Sequence, residues 1–282
     1  MKVLSNAKIN LNLQILGKDD SNYHLLYSVV APISLYDEME IVLKNSEEIL
    51  VTTDNFNVPN NEGNICYKAI KELKKYKPFY KGVEIKITKN IPIQAGLGGG
   101  SSNAAFVLKT LNKMLDLNLT NEELKEIGSK VGADVPFFID NKISIMEGRG
   151  EKTTNIDCSK FNPYILLVKP KEGVNTKEIF DLYDNTPQEK IFVAPILHEI
   201  LSNQDKEEID FYLRNDLLRA TSLLVPNIRD IIFDLKESGA YASSMSGSGT
   251  TCFGLFDDLD LCKKTEVKFE KKDYFTKIVK II

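Results

Sequence analysis

The sequence predicts a two-domain protein of the mixed α/β (α+β) class. Three observations predict it: short runs in which apolar and polar residues alternate, apolar stripes at helical spacing between those runs, and one patternless polar stretch near mid-chain. A chain of 282 residues is long enough for two domains, each with its own core.

The elements follow in order. Over residues 7–16, Ile9, Leu11, Leu13 and Ile15 alternate with Lys8, Asn10, Asn12 and Gln14. A period of two predicts a strand with one apolar face. A turn cluster at 17–22 leads to Tyr23-His24 and an apolar run at 29–35. Shorter runs at 41–43 and 49–51 read as further strands. Residues 65–76 place Ala69, Ile70 and Leu73 on one helical face. Val83, Ile85 and Ile87 alternate with Glu84, Lys86 and Thr88, a strand that runs into Pro92 and a glycine cluster. Beyond the cluster, Ala104, Leu108, Leu111 and Leu115 form a helical stripe. Thr120 and Glu123 make a capping box that opens the next helix. That helix is expected to end near Gly132 in a left-handed cap, with Pro136 barring its continuation.

The polar stretch at 149–162 has no period, and it divides residues 1–155 from residues 156–282. A buried-type strand is expected at 164–168. Residues 179–218 read as mostly helical, with the very polar 202–208 as a loop. A helix over 226–236 turns Ile228, Ile231, Ile232 and Leu235 inward and ends at Gly239. The loop Met245-Ser246-Gly247-Ser248-Gly249 feeds a strand at 252–256, and 278–282 closes the second sheet.

Composition narrows the function classes. Apolar residues are 43% and charged residues 27% of the chain, ordinary for a globular protein. The net charge of -4 argues against a nucleic-acid partner. No run approaches the roughly 20 apolar residues of a membrane span. The first residues lack the apolar core of a signal peptide, so a cytoplasmic location is expected. Cys66, Cys158, Cys252 and Cys262 have no paired spacing, and His24 and His198 are the only histidines. Neither a metal centre nor a disulfide framework is predicted. Monomer and homodimer both remain open.

The most informative stretch is Pro92-Ile93-Gln94-Ala95-Gly96-Leu97-Gly98-Gly99-Gly100-Ser101-Ser102-Asn103. It lies between a strand and an amphipathic helix. A helix start exposes unpaired N–H groups at the positive end of the macrodipole. Glycines let backbone approach an anion closely, and Ser101, Ser102 and Asn103 offer short polar side chains that could cap the helix. Together these predict a phosphate cradle. It is not a Walker A loop, because Ser101-Ser102 stands where Lys-Ser or Lys-Thr is required. It is not a dinucleotide fingerprint either, because the series from Gly96 meets Ser101 at its third glycine position. An idle turn before a helix would rarely spend three consecutive glycines.

These residues resemble the P-x-x-x-G-L-G-x-S-S-x-A-A motif of the GHMP kinase superfamily, named for galactokinase, homoserine kinase, mevalonate kinase and phosphomevalonate kinase. The resemblance narrows elsewhere. The stretch Ala7-Lys8-Ile9-Asn10-Leu11, the pair Tyr23-His24 and Gly132-Ala133-Asp134-Val135-Pro136-Phe137-Phe138 are similar to one branch. So are Gly148-x-Gly150-Glu151, Gly173-Val174-x-Thr176, Asn215-Asp216-Leu217 and the loop at 245–249, all in the same order. That branch acts in the methylerythritol phosphate route to isoprenoid precursors, on a cytidylylated branched sugar alcohol.

The resemblance implies the GHMP kinase fold, with residues 1–155 as the ATP-binding domain, 156–282 as the C-terminal domain, and both ligands in the cleft between them. It implies transfer of the γ-phosphoryl group of ATP to the 2-hydroxyl of the alcohol. Asp134 would be the catalytic base or would orient the hydroxyl, and Lys8 its partner. Asn10, Tyr23, His24, Thr176 and Phe180 would hold the substrate, with Tyr23 and Phe180 as stacking faces for cytosine. Asn64 and Lys89 would line the adenine pocket. Magnesium is expected with ATP, usually with few protein ligands, and Ser102 is a candidate contact. Without the resemblance, each residue has a plainer reading: Asp134 as a surface or capping aspartate, Lys8 as a solvated edge lysine, Lys89 as a solvated strand end, and Tyr23 and Phe180 as core.

Ser21-Asn22 departs from the Asp-Gly that the branch usually carries before Tyr-His, and Asn103 stands where several members have aspartate. Asparagine tolerates left-handed backbone, so the turn is expected to persist. Two rivals remain: a kinase of the same superfamily acting on homoserine or mevalonate, and a non-catalytic ATP-binding sensor of the same fold.

Overall fold

The computed structural model describes residues 1–186, 192–203 and 206–282. Strands β1 (Lys2–Asn10) and β2 (Gln14–Lys18) both pair antiparallel with β3 (His24–Lys44), a strand of 21 residues that is the spine of the first sheet. Then come β4 (Ile49–Thr53), α1 (Ile65–Tyr76), β5 (Gly82–Thr88), α2 (Gly99–Met114), α3 (Asn121–Ser129), α4 (Val135–Asp140), β6 (Ser144–Gly148) and β7 (Lys152–Asn155). The sheet runs β4-β5-β3-β6-β7, with β1 and β2 also on β3.

The rest of the chain forms β8 (Tyr164–Lys169), α5 (Thr176–Asp184), α6 (Ala194–Asn203), α7 (Lys206–Tyr212), α8 (Leu218–Leu224), α9 (Asn227–Glu237), β9 (Ala242–Met245), β10 (Cys252–Phe256), α10 (Leu259–Glu270) and β11 (Phe275–Val279). Its four strands make an antiparallel sheet ordered β11-β8-β10-β9.

Three apolar clusters organise the packing. One lies where α1, α2 and α4 cover the first sheet, with Ile70, Leu73, Ile85, Leu108, Phe137 and Phe138 buried. Another lies where α5, α8, α9 and α10 pack on the second sheet, through Ile179, Ile228, Leu235 and Phe269. The third joins the two units, seating Ile9, Leu11 and Ile33 against Ile165, Leu167, Phe253 and Leu255. Burying each such side chain contributes about 1.5–3 kcal/mol. The seam holds the two halves against one another, and the cleft opens beside it.

Several sequence expectations hold to the residue, among them α1 and the Thr120–Glu123 capping box. Others are corrected. The apolar runs at 29–35 and 41–43 belong to one strand, β3. The strand expected over 7–16 breaks after Asn10, and both of its faces are buried: Lys8, Asn10, Asn12 and Gln14 are as hidden as the residues between them. Gly132 takes no left-handed conformation; α3 ends at Ser129, and Pro136 sits in the first turn of α4, where proline lacks nothing a helix needs. Residues 149–162 contain β7. The loop expected at 202–208 is largely helix, divided between α6 and α7; residues 204–205 lie outside those described. Helix α10 went unread, although Asp258 caps it by accepting from the N–H groups of Asp260 and Leu261. Among the described residues, no helix is long and apolar enough to cross a membrane.

Candidate active site

A cavity of about 1020 Å³ opens between β1, the glycine loop, the start of α4, helix α5 and residues 247–249. Its first pole is the glycine loop. Gly96 has φ 72°, and a Cβ there would lie 2.0 Å from the Ser246 carbonyl oxygen, so only glycine fits. Gly98, with φ 68°, is the N-cap of α2 and supplies no side-chain cap. The first-turn N–H groups of α2 carry no side-chain cap, and Gly99, Gly100 and Ser101 line the cavity, an arrangement chemically suited to an anion cradle. Ser101 lines the cavity, as do Pro92, Ile93, Gln94, Ala95, Leu97, Gly99 and Gly100.

Strand β1 brings the second component. The backbone N–H of Lys8 donates to the Leu97 carbonyl at 3.0 Å, which ties the strand to the loop. The Lys8 side chain is only 5% exposed, and its Nζ donates to Asn10 Oδ1 at 2.5 Å and lies 3.5 Å from Asp134 Oδ2. Asp134 is the N-cap residue of α4 but makes no side-chain cap bond, so its carboxylate is left to the cavity, a third exposed. Asn10 in turn donates from Nδ2 to Ser28 Oγ at 2.8 Å. An ammonium and a carboxylate thus meet beside the cradle, from chain segments that only the fold brings together.

Ser246 joins the two halves at this point. Its Oγ accepts the Asn10 N–H at 3.0 Å and donates to the Gly96 carbonyl at 2.9 Å. Asn215 supports the same loop, donating from Nδ2 to the carbonyls of Met245 and Gly247 at 2.7 and 2.8 Å. Thr176 reaches Ser248, oxygen to oxygen, at 2.9 Å.

The far pole is aromatic. The His24 imidazole stacks on the Phe180 ring with centroids 4.6 Å apart, and its Nε2 pairs with Asp184 Oδ1 at 2.8 Å. Lys18 holds the other oxygen of Asp184 at 2.7 Å. Burial alone would raise the Asp184 carboxyl, but these two contacts outweigh it and hold it below the ordinary value. Tyr23 stands mostly exposed on the turn before β3, where Asn22 adopts the expected left-handed backbone at φ 65°. His24 covers one face of the Phe180 ring in this structure.

Of the site residues expected from sequence, Lys8, Asn10, Tyr23, His24, Lys89, Asp134, Thr176 and Phe180 line the cavity with residues 92–101. Asn64, Ser102 and Asn103 do not. Asn64 is buried as the N-cap of α1, accepting from the Cys66 N–H at 2.9 Å. Asn103 faces inward and donates to Ser5 Oγ at 2.7 Å and Asp37 Oδ2 at 2.9 Å. Ser102 is wholly buried, with an unpartnered hydroxyl. Ser102 and Asn103 sit on the inner face of α2, turned from the cleft by the helical rotation, and Asn64 lies just before α1, held by its cap. Among the described residues, no three histidine, cysteine or acidic side chains form a metal cluster.

Sequence reading missed Asp37, Asp184 and the pair Asp19–Arg149, whereas Ser246 lies in the 245–249 loop that the sequence already singles out. Asp37 carried no distinct signal, because Glu38 and Glu40 stand beside it in β3 and only the fold buries one of the three. The others sit in turns or at helix ends, where polar residues are ordinary.

The fold and this site define a GHMP-type kinase. Two family models match the chain, "GHMP kinases N terminal domain" over residues 64–142 and "GHMP kinases C terminal" over residues 197–269. A 4-diphosphocytidyl-2-C-methyl-D-erythritol kinase of Clostridium beijerinckii is 40% identical over 284 residues, covering 98% of both chains. One from Clostridioides difficile is 40% identical, covering 97% of this chain and 94% of its own. A crystal structure of 4-(cytidine 5'-diphospho)-2C-methyl-D-erythritol kinase superposes with a TM-score of 0.82 at 24% identity, covering 100% of both chains. The chain belongs to the 4-diphosphocytidyl-2-C-methyl-D-erythritol kinase family.

Proposed function

We propose that this chain transfers the γ-phosphoryl group of ATP to the 2-hydroxyl of 4-diphosphocytidyl-2-C-methyl-D-erythritol, a step toward isoprenoid precursors. The observation that carries the reading is the Lys8–Asp134 pair, 3.5 Å apart, beside the glycine loop in one cavity. Phosphoryl transfer to an alcohol demands positioning and charge neutralisation more than covalent help.

ATP supplies the phosphoryl group, and the N–H groups that open α2 suit its triphosphate. Asp134 accepts the proton of the attacking hydroxyl as that oxygen bonds to the γ-phosphorus and the bond to the β–γ bridging oxygen breaks, leaving ADP. Lys8, held by Asn10, offsets negative charge on the reacting oxygens. Tyr23, His24 and Thr176 line the end of the cavity assigned to the cytidylyl group. The division into an ATP-binding half, residues 1–155, and a second half, 156–282, belongs to the same reading. The change of sheet between β7 and β8 supports it.

The test is an assay of purified protein with ATP, magnesium and the cytidylylated methylerythritol. One ADP should form per new phosphate ester on the oxygen of the tertiary carbon. Asp134→Asn should lower kcat by roughly 10²–10⁴-fold, the usual worth of a general base. Turnover of homoserine or mevalonate with none of the cytidylylated alcohol would replace this substrate with a rival. ATP binding with no turnover of any of the three would leave the sensor reading.

A further inference from the structure

Tyr23 is 59% exposed, on a turn, at the end of the cavity assigned to the cytidylyl group. A ring so placed must be ordered before it can serve as a stacking platform, and ordering costs rotamer freedom. The structure contains a device that orders it in advance. Asp19 uses both carboxylate oxygens. Oδ1 accepts the backbone N–H groups of Ser21 at 2.9 Å and Tyr23 at 3.0 Å. Oδ2 accepts the Arg149 guanidinium, from Nε at 2.7 Å and Nη2 at 2.6 Å.

That guanidinium lies over the Tyr23 ring, its carbon 4.2 Å from the ring centroid. Arg149 comes from the turn that follows β6, and its own backbone N–H donates to Glu151 Oε2 at 2.7 Å. One carboxylate therefore fixes the backbone under the ring and the cation upon it. The planar fork matters: a lysine ammonium could sit over the ring but could not bond Asp19 along one edge while stacking flat.

We infer that Arg149 is a positioning residue that braces Tyr23 from one side and leaves the opposite ring face for the cytosine of the substrate. It acts on substrate affinity through Tyr23 and does not touch the reacting atoms. The inference rests on the proposed substrate. It also accounts for what the Arg of Gly148-Arg149-Gly150-Glu151 does in a turn otherwise defined by its glycines.

Steady-state kinetics with ATP and the cytidylylated methylerythritol test it. Arg149→Ala should raise KM for the alcohol about 3- to 10-fold, the scale of a partly exposed cation–π contact together with lost ordering. The kcat and the KM for ATP should stay near the wild-type values. Arg149→Lys should fall between the two. In a Tyr23→Ala background, Arg149→Ala should add nothing, because the two side chains act as one unit.

An unchanged or lower KM in Arg149→Ala overturns the inference, and so does a further rise in the Tyr23→Ala background, which would mean direct contact with the ligand. If Arg149→Ala fails to fold, Asp19→Asn reads the same tether and should raise KM in the same direction; no rise overturns the inference. Wild-type protein is assayed first. Absence of wild-type turnover overturns the substrate reading and this inference together, whereas wild-type turnover with an unaltered Arg149→Ala removes this inference alone.

Discussion

The carboxylate of Asp37, wholly buried in β3, holds the ammonium of Lys89 immediately before the glycine loop. The same carboxylate accepts from Asn103 Nδ2 at 2.9 Å and from the backbone N–H groups of Asn90 and Ile91, each at 2.8 Å. Four donors around one charge make this a satisfied buried pair, and the strand-to-loop junction is built on it. Lys89 still lines the cavity, so the pair links the core of the first sheet to the start of the glycine loop.

Removing Asp37 leaves the Lys89 ammonium buried without its counter-charge. Asp37→Ala should destabilise the protein by about 3–5 kcal/mol, the cost of breaking a buried pair. Urea unfolding measures this. A loss below about 1 kcal/mol would mean that the junction is solvated and the pair idle.

The cradle makes a sharper demand at Gly96. Any side chain there meets the Ser246 carbonyl and must adopt a φ of 72°. Gly96→Ala should cost about 1–3 kcal/mol in left-handed strain, and more where the Ser246 loop is pushed aside. Because the methyl group wedges the two halves apart at the cradle, ATP affinity should fall with stability. Calorimetric titration with a non-hydrolysable ATP analogue reads the first and a thermal melt the second. Wild-type affinity in this variant would remove Gly96 from the cradle.

Acid sensitivity should trace in part to Asp140, the last residue of α4, whose first turn follows Asp134. Its carboxylate bonds Lys125 at 2.5 Å and Asn121 at 3.0 Å. Burial by itself would raise the Asp140 carboxyl, but the contacts with Lys125, Asn121 and Asn155 prevail and hold it below its ordinary 3.8. A carboxyl lowered on folding contributes stability that is full above the unfolded value and is lost as pH falls through the folded one. Asp140→Asn should therefore be less stable than wild type at pH 7, by about 1–2 kcal/mol. The difference should shrink as pH drops below about 4, where wild type loses the same contribution. Chemical denaturation at pH 7, 5, 4 and 3 checks the sign. A gap that widens on acidification would contradict it.

Local physics made much of this legible. The glycine loop, the α1 helix and the Thr120 capping box depend on residues a few positions apart, and sequence displays such patterns directly. The polar face of β1 shows where local reading stops. Lys8, Asn10 and Asn12 alternate with apolar residues as they would on a solvated strand, yet all three are buried. The alternation was real, but the polar side faces the site and its supports, not open solvent. A pattern of period two distinguishes two faces without saying what covers each.

Helix direction misled at the other end of the loop. Ser102 and Asn103 follow the glycines in sequence, and both look like ligands for an anion. The helix begins at Gly99, so within one turn it has rotated both side chains to the inner face, where Asn103 serves Asp37 and Ser5. Asn64 has the same history: a polar residue at a helix start that caps the helix and does not reach the cavity.

By itself the sequence determined the class of fold, the glycine loop at a helix start and the chemical types available for catalysis, because these follow from short-range periodicity, backbone freedom and side-chain chemistry. Only the tertiary structure decided that Lys8 meets Asp134, that Asp37 clamps Lys89, that Ser246 sews the glycine loop to the second half, and that Arg149 braces Tyr23. Each of those pairs joins segments far apart in the chain. Which pair forms depends on how two sheets and their helices share buried apolar surface, a sum over the whole molecule that no local window contains.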